Sequence, residues 1–143
     1  MSAITEPSTT LLKNTRRWRH PRCVVCGQEN KNGLGMEFHL LSDGSVESDF
    51  LAPDTCEGYE DILHGGVISS IMDGAMTNCL FARGFYAVTA ELNIRFRHEL
   101  HLKKPIRVRA WIVRESPPVY VLESEIRQDS LVKAYATGKF MKK

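Results

Sequence analysis

Residues 63–85 read LHGGVISSIMDGAMTNCLFARGF, and this stretch predicts a buried helix around which the rest of the chain folds. Apolar residues recur at i, i+3 and i+4 spacings over about five helical turns. Others occupy the remaining faces, so we expect the helix to lie inside a sheet. Gly84 is placed to end the helix, because glycine readily adopts the left-handed conformation of a helix stop.

The first residues of this helix favour contact with a polarised ligand. Gly65 and Gly66 allow a ligand to approach the backbone, and unpaired N–H groups at a helix N-terminus attract partial negative charge. His64 precedes them. We expect His64 to cap or shape the helix start rather than act as a base, because no carboxylate partner for it can be identified.

Asp73 is the second chemical feature, since it is the only charged residue between Asp61 and Arg83. It follows Gly65 by eight residues, or roughly 12 Å along a helix axis, so one carbonyl group cannot contact both residues of the same helix. Two antiparallel copies related by a twofold axis bring Gly65 of one chain near Asp73 of the other. We therefore predict a homodimer, or a dimer of dimers, with a composite site.

These residues resemble a known family. His64-Gly65-Gly66, Asp73 nine residues after the histidine, and Val88-Thr89 at the start of the following strand resemble the hotdog-fold acyl-CoA thioesterases, above all the phenylacetate-pathway branch. The resemblance extends from about residue 23 to residue 140. It implies an α+β hotdog fold, with a long central helix wrapped by an antiparallel sheet of about six strands, and hydrolysis of acyl-CoA thioesters without a cofactor.

The resemblance also implies roles for single residues. Asp73 would act as general base or as nucleophile, and the Gly65 N–H would polarise the thioester carbonyl. Thr89 matches a position whose hydroxyl helps to hold the water or the aspartate, although threonine is also an ordinary strand residue. The alternative function is a non-catalytic module that binds or senses acyl-CoA.

Two positions depart from the family pattern. Some members carry an amide residue six positions before the histidine, where this chain has Gly58. A bound water, Glu57 or Glu60 would then place the attacking water. Gly74 stands where the subgroup often has an acidic residue.

Substrate-binding residues are predicted on the helix and on the basic C-terminal half. Gly66, Met72 and Met76 are candidates for the acyl site, although plain core packing also explains the methionines. From residue 93 onward there are twelve basic residues against five acidic ones, which suits the phosphates of coenzyme A as well as simple solvation. Arg95, Arg97, Lys103 and Lys104 are the candidates for those phosphates, and no spacing rule singles out any one of them.

Composition fits one globular domain. The chain has 143 residues, 25% charged and 43% hydrophobic, with no run long enough for a membrane span and no secretory signal at its start. We expect a cytoplasmic protein that binds neither membrane nor nucleic acid. Residues 1–22 are predicted to form an arm with a short helix lying across the domain, and residues 23–143 the domain itself.

Cys23 and Cys26 form a Cys-x-x-Cys pair, which is half of a zinc ribbon, and His20 is a possible third ligand. No second such pair occurs, so the sequence favours a structural knuckle without metal. Cys56 and Cys79 are expected to be free thiols.

The remaining segments predict strands, because apolar and polar residues alternate between turn signals. No βαβ alternation is visible, which favours an antiparallel sheet. The predicted strands cover residues 34–41, 45–51, 86–97, 106–112, 119–128 and 131–141.

Overall fold

The computed structural model describes residues 5–143, which form two helices and one six-stranded antiparallel sheet. This confirms the predicted α+β layout of a long helix wrapped by a sheet. The strand order is β1-β2-β4-β5-β6-β3, so β1 and β3 are the two edges. The helices are α1 (Thr9–Arg19) and α2 (Gly65–Phe81). The strands are β1 (His39–Leu40), β2 (Val46–Phe50), β3 (Ala87–Phe96), β4 (Ile106–Ser116), β5 (Val119–Gln128) and β6 (Leu131–Lys142).

Helix α2 is the buried centre of the molecule, as its sequence predicts. It contacts strands β2 to β6, and Ile71, Met72 and Met76 are completely enclosed. The close approach of helix and sheet depends on a small residue, because a Cβ atom at Gly138 of β6 would lie 3.1 Å from the sulfur of Met76. Gly84 follows the helix with φ of +86°, which confirms it as the stop.

Helix α1 packs against α2 and supplies the predicted short N-terminal helix. The Ser8 hydroxyl caps it by accepting a hydrogen bond from the Leu11 N–H, and Leu12 is buried. Trp18 remains three-quarters exposed and does not join the core. The first four residues of the predicted arm lie outside the described residues, and the predicted domain boundary stays a prediction.

The strand predicted over residues 34–41 is shorter, because only His39 and Leu40 pair with β2. Gly35 has φ of +62°, and the backbone before β1 bonds elsewhere. The Leu34 and Met36 N–H groups donate to carbonyls of residues 24 and 25, so this segment pairs with the cysteine knuckle. The period-two pattern of residues 34–41 does not reveal that competing partner.

Strand β3 has the predicted length but not the predicted half-buried character. It is an edge strand whose one partner among residues 5–143 is β6, and its apolar side chains Val88, Leu92 and Phe96 are 45%, 36% and 54% exposed. No helix within residues 5–143 combines the length and the apolar character needed to cross a membrane. Cys56 and Cys79 are free, as expected.

Candidate active site

The start of α2 is organised by His64. Its Nδ1 accepts a hydrogen bond of 2.8 Å from the Gly66 N–H, so His64 is the N-cap of the helix. Its own N–H donates to the carbonyl of Cys56, which fixes the residue to the preceding loop. His64 therefore shapes the turn at which the chain enters the helix, as the sequence predicts.

Gly65 presents an unpaired backbone donor at this turn. The N–H groups on either side of it donate to Cys56 and to the His64 ring, whereas no acceptor for the Gly65 N–H is found among residues 5–143. Gly65 is exposed and lines a cavity of about 410 Å³ together with Glu57 and Tyr59. A donor at the positive end of a helix, open to a cavity, is suited to bind a carbonyl oxygen or an oxyanion.

Asp73 lies two turns further along α2, in a separate cavity of about 440 Å³. Its Oδ1 accepts a hydrogen bond of 2.6 Å from the Thr89 hydroxyl of β3. Burial raises the pKa of the Asp73 carboxyl above its ordinary value, and the Thr89 hydrogen bond opposes that shift. A half-buried carboxylate with a raised pKa and a fixed orientation is suited to take a proton or to attack a carbonyl.

The two groups occupy different cavities of one chain. Gly65 faces the cavity beside Tyr59, while Asp73 faces the one beside Tyr86. Eight helical residues separate them, which corresponds to roughly 12 Å. One thioester cannot contact both groups in the same chain.

A family model described as Thioesterase superfamily matches residues 60–134, just over half of the chain, including both groups. The chain belongs to the thioesterase superfamily.

Solved structures of this superfamily share the hotdog fold seen here. A phenylacetic acid degradation-related protein from Ralstonia eutropha is 25% identical, with a TM-score of 0.75, over 92% of this chain and 98% of that one. A Streptococcus mutans protein bound to acetyl-CoA is 19% identical, with a TM-score of 0.70, over 76% of this chain and 88% of that one.

A further thioesterase superfamily protein is 24% identical, with a TM-score of 0.78. The alignment covers 82% of the present chain but only 62% of that protein. No curated protein sequence matched the chain.

The predicted substrate-binding residues of this superfamily member fall into two groups. Arg95 and Arg97 are exposed and flank Phe96, whose ring lies 3.7 Å from the position of a Cβ at Gly65. Successive side chains of a strand point to opposite faces of the sheet, so this contact does not place the Arg95 and Arg97 side chains in the Gly65 cavity, and their role in binding phosphates stays a prediction. Gly66 follows Gly65 directly on α2. Met72 and Met76 are fully enclosed and line neither cavity, so their role in acyl binding stays a prediction.

Sequence reasoning missed the residues that α1 places over Asp73. His20 and Arg19 line the Asp73 cavity with Tyr86, and the Arg19 guanidinium lies 4.4 Å from the centre of the Tyr86 ring. In the sequence, Arg19 belongs to a basic cluster that is typical of a solvated terminus. The useful signal is the set of apolar residues Leu11, Leu12 and Trp18, which predicts a short helix lying across the domain and hence a position for the residues at its end.

Gly58, where some relatives carry an amide, lies directly against His64. A Cβ there would stand 3.1 Å from the His64 Cα, so a side chain at this position requires the cap to move. Glu57 lines the Gly65 cavity, although its carboxylate also accepts a hydrogen bond from the Asp61 N–H. Glu60 does not line this cavity. The residue that replaces the amide stays open between Glu57, Glu60 and a bound water.

Proposed function

We propose that this protein hydrolyses acyl-CoA thioesters to the free acid and CoA as a homodimer, or a dimer of dimers, in which Asp73 of one chain acts opposite the Gly65 N–H of the other. The observation that carries the proposal is the pairing of an unsatisfied donor at the N-terminus of α2 with a half-buried carboxylate on the same helix. Together they are the two groups that thioester hydrolysis requires.

Edge strand β3 offers a route by which the two half-sites meet. Thr89, near one end of β3, contacts Asp73, and Phe96, at the other end, lies against Gly65. If two β3 strands pair antiparallel with Asn93 opposite its own copy on the twofold axis, the bulge between Thr89 and Glu91 brings Thr89 of one strand opposite Phe96 of the other. Asp73 then faces the partner's Gly65, and the site recurs twice about the twofold axis.

The exposed side chains of β3 support this mode of pairing. An edge strand with unpaired backbone groups is a template for another strand, and β3 carries exposed valine, leucine and phenylalanine beside the charged Glu91 and Arg95. A second copy of the chain paired with β3 covers these side chains. They then become half-buried, as their sequence pattern predicts.

The reaction follows from the two groups. The Gly65 N–H binds the thioester oxygen and stabilises the negative charge that develops there in the transition state. As a general base, Asp73 takes a proton from water as the water oxygen bonds to the carbonyl carbon. The tetrahedral intermediate then breaks its C–S bond, and the CoA sulfur leaves with that proton. As a nucleophile, Asp73 would instead form an acyl anhydride that water hydrolyses in a second step.

Coenzyme A would be held beside β3. Of the four candidate basic residues, Lys103 and Lys104 already lie 3.9 Å and 3.2 Å from aspartate oxygens. Arg95 and Arg97 have no carboxylate within 4.0 Å in residues 5–143, so their charges are available for phosphates. The acetyl-CoA complex of the Streptococcus mutans structure supports a CoA thioester as the ligand class.

The proposal is tested by measuring CoA release from aromatic and medium-chain acyl-CoAs by wild type and Asp73→Asn, with the molar mass in solution determined by light scattering. We expect a dimer or tetramer, turnover by wild type, and a loss of roughly 10²- to 10⁴-fold in kcat for the variant. Binding without turnover in both proteins would favour the acyl-CoA sensor, and a monomer would exclude the composite site.

A further inference from the structure

A cluster of three metal-binding side chains lies outside the proposed catalytic groups. The ligand atoms of His20, Cys23 and Cys26 all lie within 4.8 Å of one another, and Nδ1 of His20 is 3.8 Å from the sulfur of Cys26. Zinc bonds of about 2.3 Å to sulfur and 2.0–2.1 Å to nitrogen place tetrahedral ligand atoms roughly 3.5–3.8 Å apart. The side chains are therefore close to the arrangement that one zinc ion requires.

The knuckle that carries the cysteines is locally tight. The Gly27 N–H donates to the Cys23 carbonyl at 2.9 Å, and the Val25 N–H points at the Cys23 sulfur at 3.3 Å. A Cβ at Gly27 would stand 2.3 Å from the Cys23 nitrogen, so only glycine permits this turn. A backbone N–H directed at a cysteine sulfur stabilises its thiolate, the form that binds metals.

Packing against α2 and α1 fixes the cluster in place. Val25 lies against Gly74, where a Cβ would stand 2.7 Å from its methyl group. The His20 ring packs edge-on against Phe81, with centroids 4.9 Å apart, which sets the orientation of the imidazole. The ligands therefore need little ordering when a metal binds.

Two buried polar groups beside Cys26 lack partners of their own. Asn78 is fully buried, its amide nitrogen donates to the Gly74 carbonyl, and its Oδ1 has no partner in the described residues. Arg16 is 6% exposed, its Nε is unpaired, and no carboxylate lies within 4.0 Å of it in residues 5–143. Burial of polar atoms without partners costs free energy, so these two side chains mark a polar site inside the fold beside the cluster.

We propose that His20, Cys23 and Cys26 bind one zinc ion through an imidazole nitrogen and two thiolates, with water in the fourth position. His20 also lines the cavity that contains Asp73, so the proposed ion lies near the proposed catalytic cavity. The ion ties the end of α1 to the knuckle, which packs against α2 through Val25 and Gly74. The sequence favours a metal-free knuckle because it shows no second Cys-x-x-Cys pair, whereas the folded chain brings the third ligand from α1.

The zinc content of the full chain, purified under a non-thiol reductant without chelator, tests this proposal. We expect about one zinc per chain by elemental analysis, and cobalt substitution that gives thiolate charge-transfer and tetrahedral visible bands. Cys23→Ser should lose most of the zinc and the charge-transfer intensity. Cys56→Ser, which alters a buried cysteine outside the cluster, should retain both.

A second measurement needs no variant. Alkylation of wild type in the presence and absence of added zinc, with sites located by peptide mass, should show zinc-dependent protection of Cys23 and none at Cys56 or Cys79. Failure of the reduced protein to retain zinc from zinc-containing buffer would overturn the proposal. So would equal zinc content in Cys23→Ser, or a Cys23–Cys26 disulfide that forms with zinc present.

Discussion

The hydroxyl of Thr89 lies 2.6 Å from a carboxylate oxygen of Asp73 and joins edge strand β3 to the central helix at the only acidic residue of α2. A hydroxyl that donates to a carboxylate stabilises its charged form and so lowers its pKa. Burial acts in the opposite direction and is the larger effect. Burial and the Thr89 hydrogen bond are thus the two largest, and opposing, influences on the pKa of Asp73.

Replacement of Thr89 by valine should move the acid limb of the pH–rate profile to higher pH. The variant loses the hydrogen bond that lowers the pKa of Asp73, while burial still raises it, so the active carboxylate forms at a higher pH. Thr89→Ser keeps a hydroxyl and should retain the wild-type profile. The measurement is kcat/KM against pH. Identical profiles for valine and wild type would contradict a role of Thr89 in the ionisation of Asp73.

Asp73→Asn should raise the melting temperature at neutral pH. The folded state raises the pKa of Asp73 above the ordinary 3.8, so it binds the proton more tightly than the unfolded chain does. Ionisation therefore destabilises the fold progressively as pH rises from that ordinary value through the raised one. The difference between the variant and wild type should shrink as pH falls back through this window. Thermal unfolding at several pH values checks it, and Ser70→Ala on the same helix is the control.

The fold could be predicted from the sequence where a residue's neighbours are local. Glycines, apolar periodicity and one isolated carboxylate were sufficient for α2, because its burial depends on its own composition. The segment before β1 was misjudged because its backbone bonds with the knuckle, a contact between residues about ten positions apart that leaves no periodic trace. The exposure of β3 was also missed, since alternation shows which residues share a face but not which strand lies at the edge.

The residues of the candidate site also differ in whether the sequence could identify them. His64, Gly65 and Asp73 were identifiable because one helix holds them at a fixed spacing. Arg19 and His20 were not, because they reach Asp73 through the packing of α1 on α2, which no spacing rule describes. Residues placed by tertiary contacts rather than by one element escape sequence analysis for this physical reason.

Gly65→Pro should remove the proposed oxyanion donor with little effect on the fold. Gly65 is the first helical residue, where proline is favoured, and His64 has the extended ψ of 134° that proline requires of its predecessor. We expect a loss of about 10²- to 10³-fold in kcat, as for other single oxyanion donors. Gly65→Ala keeps the N–H and should stay near wild type, since a Cβ there meets only the Phe96 ring at 3.7 Å.

A mixture of Gly65→Pro and Asp73→Asn chains tests whether the site is shared. Each mixed dimer has one intact site, with Asp73 from the first chain and Gly65 from the second, and one site that lacks both groups. Refolding equal amounts together makes about half of the dimers mixed, so about a quarter of wild-type activity should return. The measurement is CoA release before and after co-refolding. Activity that stays at the level of the separate variants would show that both groups act within one chain.

Gly74→Ala should destabilise the protein by about 1–3 kcal/mol, although alanine is the better helix former. Its Cβ would stand 2.7 Å from a methyl group of Val25, a buried and branched side chain that has little room to move. Gly65→Ala, on the same helix without such a contact, is the matched control. Urea unfolding of both variants checks this, and equal stability would show that the knuckle is free to shift.

Leu92→Glu should convert the dimer to monomers and abolish turnover. Leu92 is exposed on β3 and lies next to the proposed twofold axis, so the substitution places two carboxylates near each other and removes apolar contact on both sides. Val113→Glu changes a similarly exposed aliphatic residue on β4, which is not an edge strand, and should leave both the mass and the activity unchanged. Light scattering and CoA release on the same samples check the prediction. An active Leu92→Glu dimer would exclude pairing through β3 and require another surface to join Asp73 to the partner's Gly65.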